Sequence, residues 1–143
     1  MQTLRVERMK KGEILTAVGK RKSAVARAYA VKGTGKVIIN KTPLNVYANE
    51  LARMIISEPL ILAGEDAKKV DIFVNARGGG VFGQADAIRQ AIAKILVQVN
   101  KKLRDVFLEY DRYLLIADPR RNEPHKPSRS KKGPRRHKQR SKR

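Results

Sequence analysis

Residues 23–31 read Ser23-Ala24-Val25-Ala26-Arg27-Ala28-Tyr29-Ala30-Val31, a strict alternation of alanine with larger side chains. Successive side chains of a β-strand point to opposite faces of the sheet, so this stretch predicts a strand with two different faces. The alanine face is small enough to pack closely against a helix. Arg27 and Tyr29 then lie either on an open face or on a second core surface from which Arg27 reaches solvent. We favour the open face.

Turn residues flank this strand on both sides. An apolar run at 14–18 precedes Gly-Lys-Arg-Lys at 19–22, which predicts a turn. After the strand, Gly33-Thr34-Gly35 predicts a hairpin turn into a short apolar strand at 37–39. The N-terminal third of the chain is therefore predicted to form strands.

Residues 45–56 have apolar positions at helical spacing and predict a helix. Those apolar positions are Leu51, Met54 and Ile55. Ser57 then resembles a helix cap, and Pro59 is suited to the first turn of a second, short helix.

A strand is predicted at 70–74, followed by Gly78-Gly79-Gly80 and the clearest helix of the chain. The apolar stripe of this helix is Ile88, Ala91, Ile92, Ile95, Leu96 and Val99. A further turn or helix runs through 103–107. Strands followed by a helix, then a strand followed by a helix, predict an α/β two-layer sandwich with helices on one face of the sheet.

Composition restricts the partners of this chain more than it restricts the fold. The 143 residues suffice for one domain, and 33 Lys and Arg against 13 Asp and Glu give a net charge of +20. Such a charge attracts nucleic acid, an acidic membrane surface or an acidic protein. No apolar run approaches the roughly 20 residues of a membrane-spanning helix, so we expect no membrane insertion. The absence of cysteine excludes disulfides and thiol chemistry.

The charge is concentrated in residues 119–143, where 12 basic residues accompany one acidic residue, a net of +11. No aliphatic or aromatic side chain other than proline occurs there, so this segment cannot form a core and is predicted to be disordered when free. We place the boundary near Asp118, with a globular domain at 1–118 and an extended basic tail at 119–143.

Gly78, Gly80 and Gly83 satisfy the spacing of a dinucleotide-binding loop between a strand and a helix. The second strand and ribose-binding acid of such a unit are missing. The loop therefore predicts either a phosphate site made of backbone N–H groups or a tight turn for close packing. His125 and His137 both lie in the tail, so neither predicts a metal site or a catalytic base.

Several segments resemble the family of the ninth protein of the small ribosomal subunit. The central match is Gly78-Gly79-Gly80-Val81-Phe82-Gly83-Gln84-Ala85-Asp86-Ala87 and its continuation to Lys94. The other matching segments are 19–27, Asp111-Arg112, Asp118-Pro119-Arg120-Arg121 and the terminal Ser141-Lys142-Arg143. Residues 123–127, Glu-Pro-His-Lys-Pro, are similar to the archaeal branch.

The resemblance implies a mixed sheet of the ribosomal protein S-five domain 2-like type, with a left-handed βαβ crossover. It implies a cytoplasmic structural protein of the small-subunit head, with no catalytic role, no cofactor and no small-molecule substrate. Its partners would be 16S-type ribosomal RNA, P-site transfer RNA and neighbouring head proteins. Transfer RNA would be bound by Lys142 and Arg143. The implied ribosomal-RNA-binding residues are Lys20, Arg21, Lys22, Arg27, Arg77, Gly78, Gly79, Gly80, Gln84, Arg112, Arg120, Arg121, Lys126, Arg129, Lys131, Lys132, Arg135 and Arg136.

Two alternatives stay open from the residues alone. Charge alone permits a protein that binds duplex DNA, although no helix-turn-helix pattern is visible. The glycine loop permits a small nucleotide-using enzyme. Equal affinity for DNA and ribosomal RNA would favour the first, and nucleotide binding would favour the second.

Overall fold

The alternating stretch forms the longest strand of a five-stranded sheet in the computed structural model, which describes residues 13–126. The strands are β1 Leu15–Arg21, β2 Ala24–Lys32, β3 Val37–Ile39, β4 Thr42–Pro43 and β5 Val70–Arg77. Their spatial order is β1-β2-β5-β3-β4. β2 runs antiparallel to β1 and to β5, whereas β3 and β5 are parallel, so the sheet is mixed.

Three α-helices accompany the sheet, namely α1 Glu50–Ala63, α2 Val81–Val99 and α3 Leu103–Tyr110. Short 3₁₀ segments lie at Leu44–Val46, Gly64–Lys69 and Arg112–Leu114. All six residues of the predicted apolar stripe of α2 are buried. The predicted two-layer architecture, with helices on one face, is confirmed.

The helix α2 lies directly on the alanine face of β2 and on β1. Ala24, Ala26 and Ala30 have no exposed surface. A Cβ atom added to Gly19 of β1 would lie 1.9 Å from the carbonyl oxygen of Ala87 in α2. The helix backbone therefore occupies the space that a side chain at position 19 would need.

Polar side chains of α2 cover the free edge of β1. Lys94 Nζ donates to the carbonyl of Val18 at 2.8 Å, and Gln98 Nε2 donates to that of Thr16 at 2.9 Å. In the opposite sense, the N–H of Lys20 donates to the Gln90 side-chain oxygen at 2.9 Å. These N–H and carbonyl groups of the edge strand β1, which could otherwise pair with a strand of another molecule, are thereby hydrogen-bonded within the chain.

Both predicted turns around β2 differ from the structure. β1 continues through Arg21, so the turn consists of Lys22 and Ser23 alone. The predicted hairpin at Gly33–Gly35 is wrong, because β5 lies between β2 and β3. The segment crosses the end of β5 instead.

The crossing segment is held by Asp71 at the start of β5. The Asp71 carboxylate accepts hydrogen bonds from the N–H groups of Thr34 at 2.8 Å and Lys36 at 2.9 Å. Burial by itself raises the pKa of Asp71, but these backbone hydrogen bonds outweigh burial and hold the pKa below its ordinary value. The Asp71 carboxylate therefore holds this segment in place of the β2–β3 pairing that the predicted hairpin would have supplied.

The predicted pair of helices around Ser57 and Pro59 is one continuous helix, α1. It begins later than predicted, after Asn49, whose side chain accepts from the N–H of Ala52 at 2.9 Å. The Ser57 hydroxyl donates to the carbonyl of Arg53 at 2.8 Å and so does not cap a new helix. Pro59 is buried within α1, which shows that packing outweighs the hydrogen bond that proline cannot make.

Substituting Gly19→Ala is expected to destabilise the protein by about 3 kcal/mol, because backbone atoms of α2 must move to admit the methyl group. The matched control is Gly80→Ala, which meets nothing within 4 Å and should change stability by less than about 1 kcal/mol. Urea unfolding of the two variants measures both values. Equal stabilities for the two variants would contradict the close packing of α2 on β1.

Candidate nucleic-acid interface

The face of the sheet opposite the helices carries cations on three neighbouring strands. Lys20 of β1 and Arg77 of β5 occupy the same transverse row, since both pair in register with Val25 of β2. Arg27 lies in the next row, between Val18 and Asn75. Arg27 and Tyr29 are both exposed, so the open-face prediction is confirmed. We call this surface the open face.

Positive charge on the open face is uncompensated within residues 13–126. None of Lys20, Arg27 and Arg77 forms an ion pair there. Asp71 is the single carboxylate at the outward positions of β1, β2 and β5, and backbone N–H groups already bind it. At the neighbouring edge of the sheet, burial and, to a smaller extent, the charge of Lys20 lower the pKa of Lys94 in α2.

The glycine loop packs against the β1–β2 turn and so lies beside Lys22. Gly78 and Gly79 have φ angles of +78° and +66°, which glycine adopts without strain. A Cβ atom on Gly78 would lie 2.6 Å from the carbonyl oxygen of Ser23. Close packing, one of the two predicted explanations of the loop, is therefore present.

The anion-binding explanation is also compatible with the loop. Gly80 is the N-cap of α2, no side chain caps its first N–H groups, and no acidic residue lies in its first turn. Nothing lies within 4 Å of the position that a Cβ atom of Gly80 would take. Free N–H groups beside exposed Arg77 and Lys22 form a site that suits a phosphate.

The side chain of Gln84 hydrogen-bonds to the glycine loop and to Tyr47. Its Nε2 donates to the carbonyl of Gly78 at 3.1 Å, and its Oε1 accepts from the Tyr47 hydroxyl at 3.2 Å. Burial raises the pKa of Tyr47 further above its ordinary value, which already leaves the phenol protonated at neutral pH and able to donate. The side chain of Gln84 therefore positions the loop in this structure.

Sequence reasoning missed Lys41, which the fold brings to the open face. Asn40 and Lys41 form a two-residue turn between β3 and β4, with φ angles of +47° and +68°. The Asn40 side chain accepts from the N–H of Ala76 at 2.9 Å and donates to its carbonyl at 3.1 Å. This pairing holds Lys41 at the groove that Arg77 also lines. The sequence signal was Asn-Lys between Ile39 and Thr42, which is compatible with a tight hairpin.

Arg21 and Arg120, both predicted to bind RNA, pair with the buried Asp118. Arg21 contacts Asp118 directly and lies 3.5 Å from Asp86. Arg120 contacts Asp118 at 2.6 Å while most of its side chain remains exposed. Asp118 thus fixes the chain where the predicted tail begins.

The remaining predicted residues divide into two groups. Arg112, Arg121 and Lys126 are exposed, away from helices and strands except for the 3₁₀ segment that contains Arg112. The others lie outside the described residues, and they are Arg129, Lys131, Lys132, Arg135, Arg136, Lys142 and Arg143. Across residues 13–126, no cluster of His, Cys, Asp and Glu could hold a metal ion. Within the same range, no helix is long and apolar enough to cross a membrane.

Comparison with known proteins identifies relatives along nearly the whole chain. Residues 19–143 match the family described as Ribosomal protein S9/S16. The small ribosomal subunit protein uS9 of Methanococcus vannielii is 47% identical over 131 residues, covering 90% of this chain and 98% of the relative. Proteins of the same name from two Methanococcus maripaludis strains match with the same identity and coverage. These relatives are archaeal, as the segment at 123–127 predicts.

Substituting Asn40→Ala is expected to lower the free energy of unfolding by about 2–3 kcal/mol. The N–H and the carbonyl of Ala76 would lose their hydrogen-bond partner, and alanine adopts the left-handed conformation at position 40 less readily than asparagine. Asn40→Gly keeps the left-handed conformation and should recover about 1 kcal/mol of that loss. Urea unfolding separates the two contributions. Wild-type stability in Asn40→Ala would show that the Asn40 pairing does not hold the turn.

Proposed function

The chain belongs to the ribosomal protein S9/S16 family and is a structural protein rather than an enzyme, and we propose that it binds 16S-type ribosomal RNA in the head of the small subunit. Binding occurs through the open face and the glycine loop, and the basic tail contacts P-site transfer RNA. The protein acts in the cytoplasm as part of the ribosome, beside other head proteins.

The observation that carries this proposal is the asymmetry of charge across the sheet. The helix layer carries carboxylates beside its cations: Arg89 bridges Glu58 at 2.6 Å and Asp111 at 2.8 Å, and Lys69 pairs with Asp66 at 2.9 Å. The open-face cations have no carboxylate partner among the described residues. A phosphate backbone supplies the missing negative charge, and the counterions released from RNA supply the free energy of binding.

The position of the glycine loop supports phosphate binding by backbone as well as by side chains. Arg77 precedes the loop, Lys22 lies on the turn against which it packs, and the N-terminus of α2 follows it. Arg77 can donate two parallel hydrogen bonds to one phosphate, whereas Lys22 acts as a point charge.

The anchored start of the tail supports its proposed role. Arg21 and Arg120 bind Asp118, so the chain leaves the domain at a fixed point near β1. Residues 119–126 form no helix or strand. We propose that 119–143 is a separate unit, disordered when free, that lies along phosphates and places Lys142 and Arg143 at transfer RNA.

We also propose that β3, α1 and β5 form a left-handed crossover of the S-five domain 2-like type. The N–H of Ile72 donates to the carbonyl of Lys36 at 2.7 Å, so it points towards β3. The Ile72 side chain is fully buried and faces the helix layer. For an L-residue seen from its side chain with the chain running upward, the N–H points to the right. The step from β3 through α1 to β5 then runs leftward, against the usual rule.

Replacing three cations of the open face in the variant Arg27→Gln, Lys41→Gln, Arg77→Gln should weaken binding to head-domain ribosomal RNA. The slope of log affinity against log salt should fall by about 2–3 units, because each lost phosphate contact removes nearly one released counterion. The matched control Lys68→Gln, Lys101→Gln, Lys102→Gln removes equal charge from the helix layer. Equal losses of slope in both variants would contradict binding by the open face.

Truncation to residues 1–118 should preserve a preference for head-domain RNA over duplex DNA of equal length while reducing the salt slope.

Deleting only Lys142 and Arg143 should weaken P-site transfer RNA binding to reconstituted small subunits, because two phosphate contacts are lost. Assembly of the subunits should not be impaired. Filter binding measures both affinities. Unchanged transfer RNA affinity after the deletion would contradict the proposed role of the terminus, and loss of all RNA preference after truncation would contradict that of the domain.

A further inference from the structure

Two aromatic side chains stack on the open face at the centre of the sheet. Tyr29 of β2 and Phe73 of β5 are direct partners in the strand register. Their ring centroids are 5.1 Å apart and their planes differ by 13°. The Tyr29 side chain is 46% exposed. A stacked pair of this kind adds aromatic surface to a face of the sheet that no described helix covers.

A groove of about 520 Å³ begins at this pair and extends to the β3–β4 turn. The side chains of Tyr29, Ile38, Lys41, Phe73, Asn75 and Arg77 line this groove. No carboxylate lines the groove. Its floor is apolar and aromatic, while its rim carries the cations of Lys41 and Arg77.

Asn75 lies between the aromatic floor and the cationic rim. Its exposed amide makes no hydrogen bond to any residue of the described range 13–126. This amide therefore keeps one acceptor and two donors for a ligand. The apolar floor suits the face of a nucleotide base, and the unused amide suits the polar edge of that base. The two cations suit its phosphate.

We propose that this groove binds one unpaired RNA base, which stacks on the Tyr29–Phe73 pair. Asn75 hydrogen-bonds to the edge of the base, and Lys41 and Arg77 bind the adjoining phosphates. The inference rests on the proposed RNA-binding function and adds the kind of nucleotide bound. Bases inside an A-form duplex are already stacked and paired, so the ligand is a nucleotide of a loop, bulge or single strand.

Fluorescence of a Phe73→Trp variant tests the stacking directly. The natural chain contains no tryptophan, so emission of the full-length variant reports the groove alone. A head-domain ribosomal RNA fragment should quench this emission on binding, whereas a fully paired RNA duplex of equal length should bind without comparable quenching. Saturation by the head fragment without a change in emission would overturn the proposal. Quenching that requires added head proteins, and does not occur with RNA alone, would overturn it in favour of a protein neighbour.

Affinity measurements give a second test that does not depend on the tryptophan. The variant Tyr29→Leu, Phe73→Leu keeps apolar side chains on the sheet but removes the aromatic surface. Its affinity for the head fragment should fall about tenfold, as expected for the loss of one base–aromatic stack. The salt slope should not change, because no cation is removed.

The matched control is Tyr110→Leu, which removes an aromatic side chain that is 57% exposed on α3. Its RNA affinity should equal that of the natural chain. Equal affinity in the Tyr29→Leu, Phe73→Leu variant would overturn the base-binding groove while leaving the proposed function intact. Failure of the natural chain to bind head RNA would overturn both.

Discussion

Close packing of α2 on the alanine face of the sheet is the constraint on which the rest of the structure depends. Ala24, Ala26 and Ala30 are fully buried. The backbone of α2 at Ala87 leaves no room for a side chain at position 19. Larger residues on that face would hold the helix further from the sheet. Because the helices occupy this face, the long and charged side chains that alternate with the alanines must lie on the other.

The division of faces also separates two kinds of cation. Arg21 and Arg89 bind carboxylates and join segments that are distant in sequence, so their charges are used within the fold. Arg27 and Arg77 remain exposed and unpaired within the described residues. Clustered like charges repel one another until a polyanion neutralises them, so this surface gains most from binding RNA.

Local patterns in the sequence were sufficient to predict β2, α2 and the layer arrangement, because period 2 and period 3.6 are properties of contiguous residues. The parallel pairing of β3 with β5 was not predictable in this way, since it depends on contacts between distant segments such as Asn40 and Ala76. The glycine turn after β2 therefore predicts a hairpin that the structure does not contain.

The same limit applies to the candidate site. Arg27 and Arg77 could be placed from alternation and from the glycine loop that follows. Lys41 could not be placed, because its position depends on the long-range pairing of Asn40. The ion pair of Arg21 with Asp118 could not be predicted, because the two residues are 97 positions apart in the sequence and no local pattern connects them.

The most direct test of RNA binding by the open face is a lysine-modification footprint of the full chain, free and bound to head-domain ribosomal RNA, with modified sites identified by mass spectrometry. If the open face and its turns bind RNA, Lys20, Lys22 and Lys41 become protected. Lys68, Lys101 and Lys102, which are exposed in the helix layer, should stay reactive. Protection of the helix-layer lysines with continued reactivity of Lys20, Lys22 and Lys41 would contradict RNA binding by the open face.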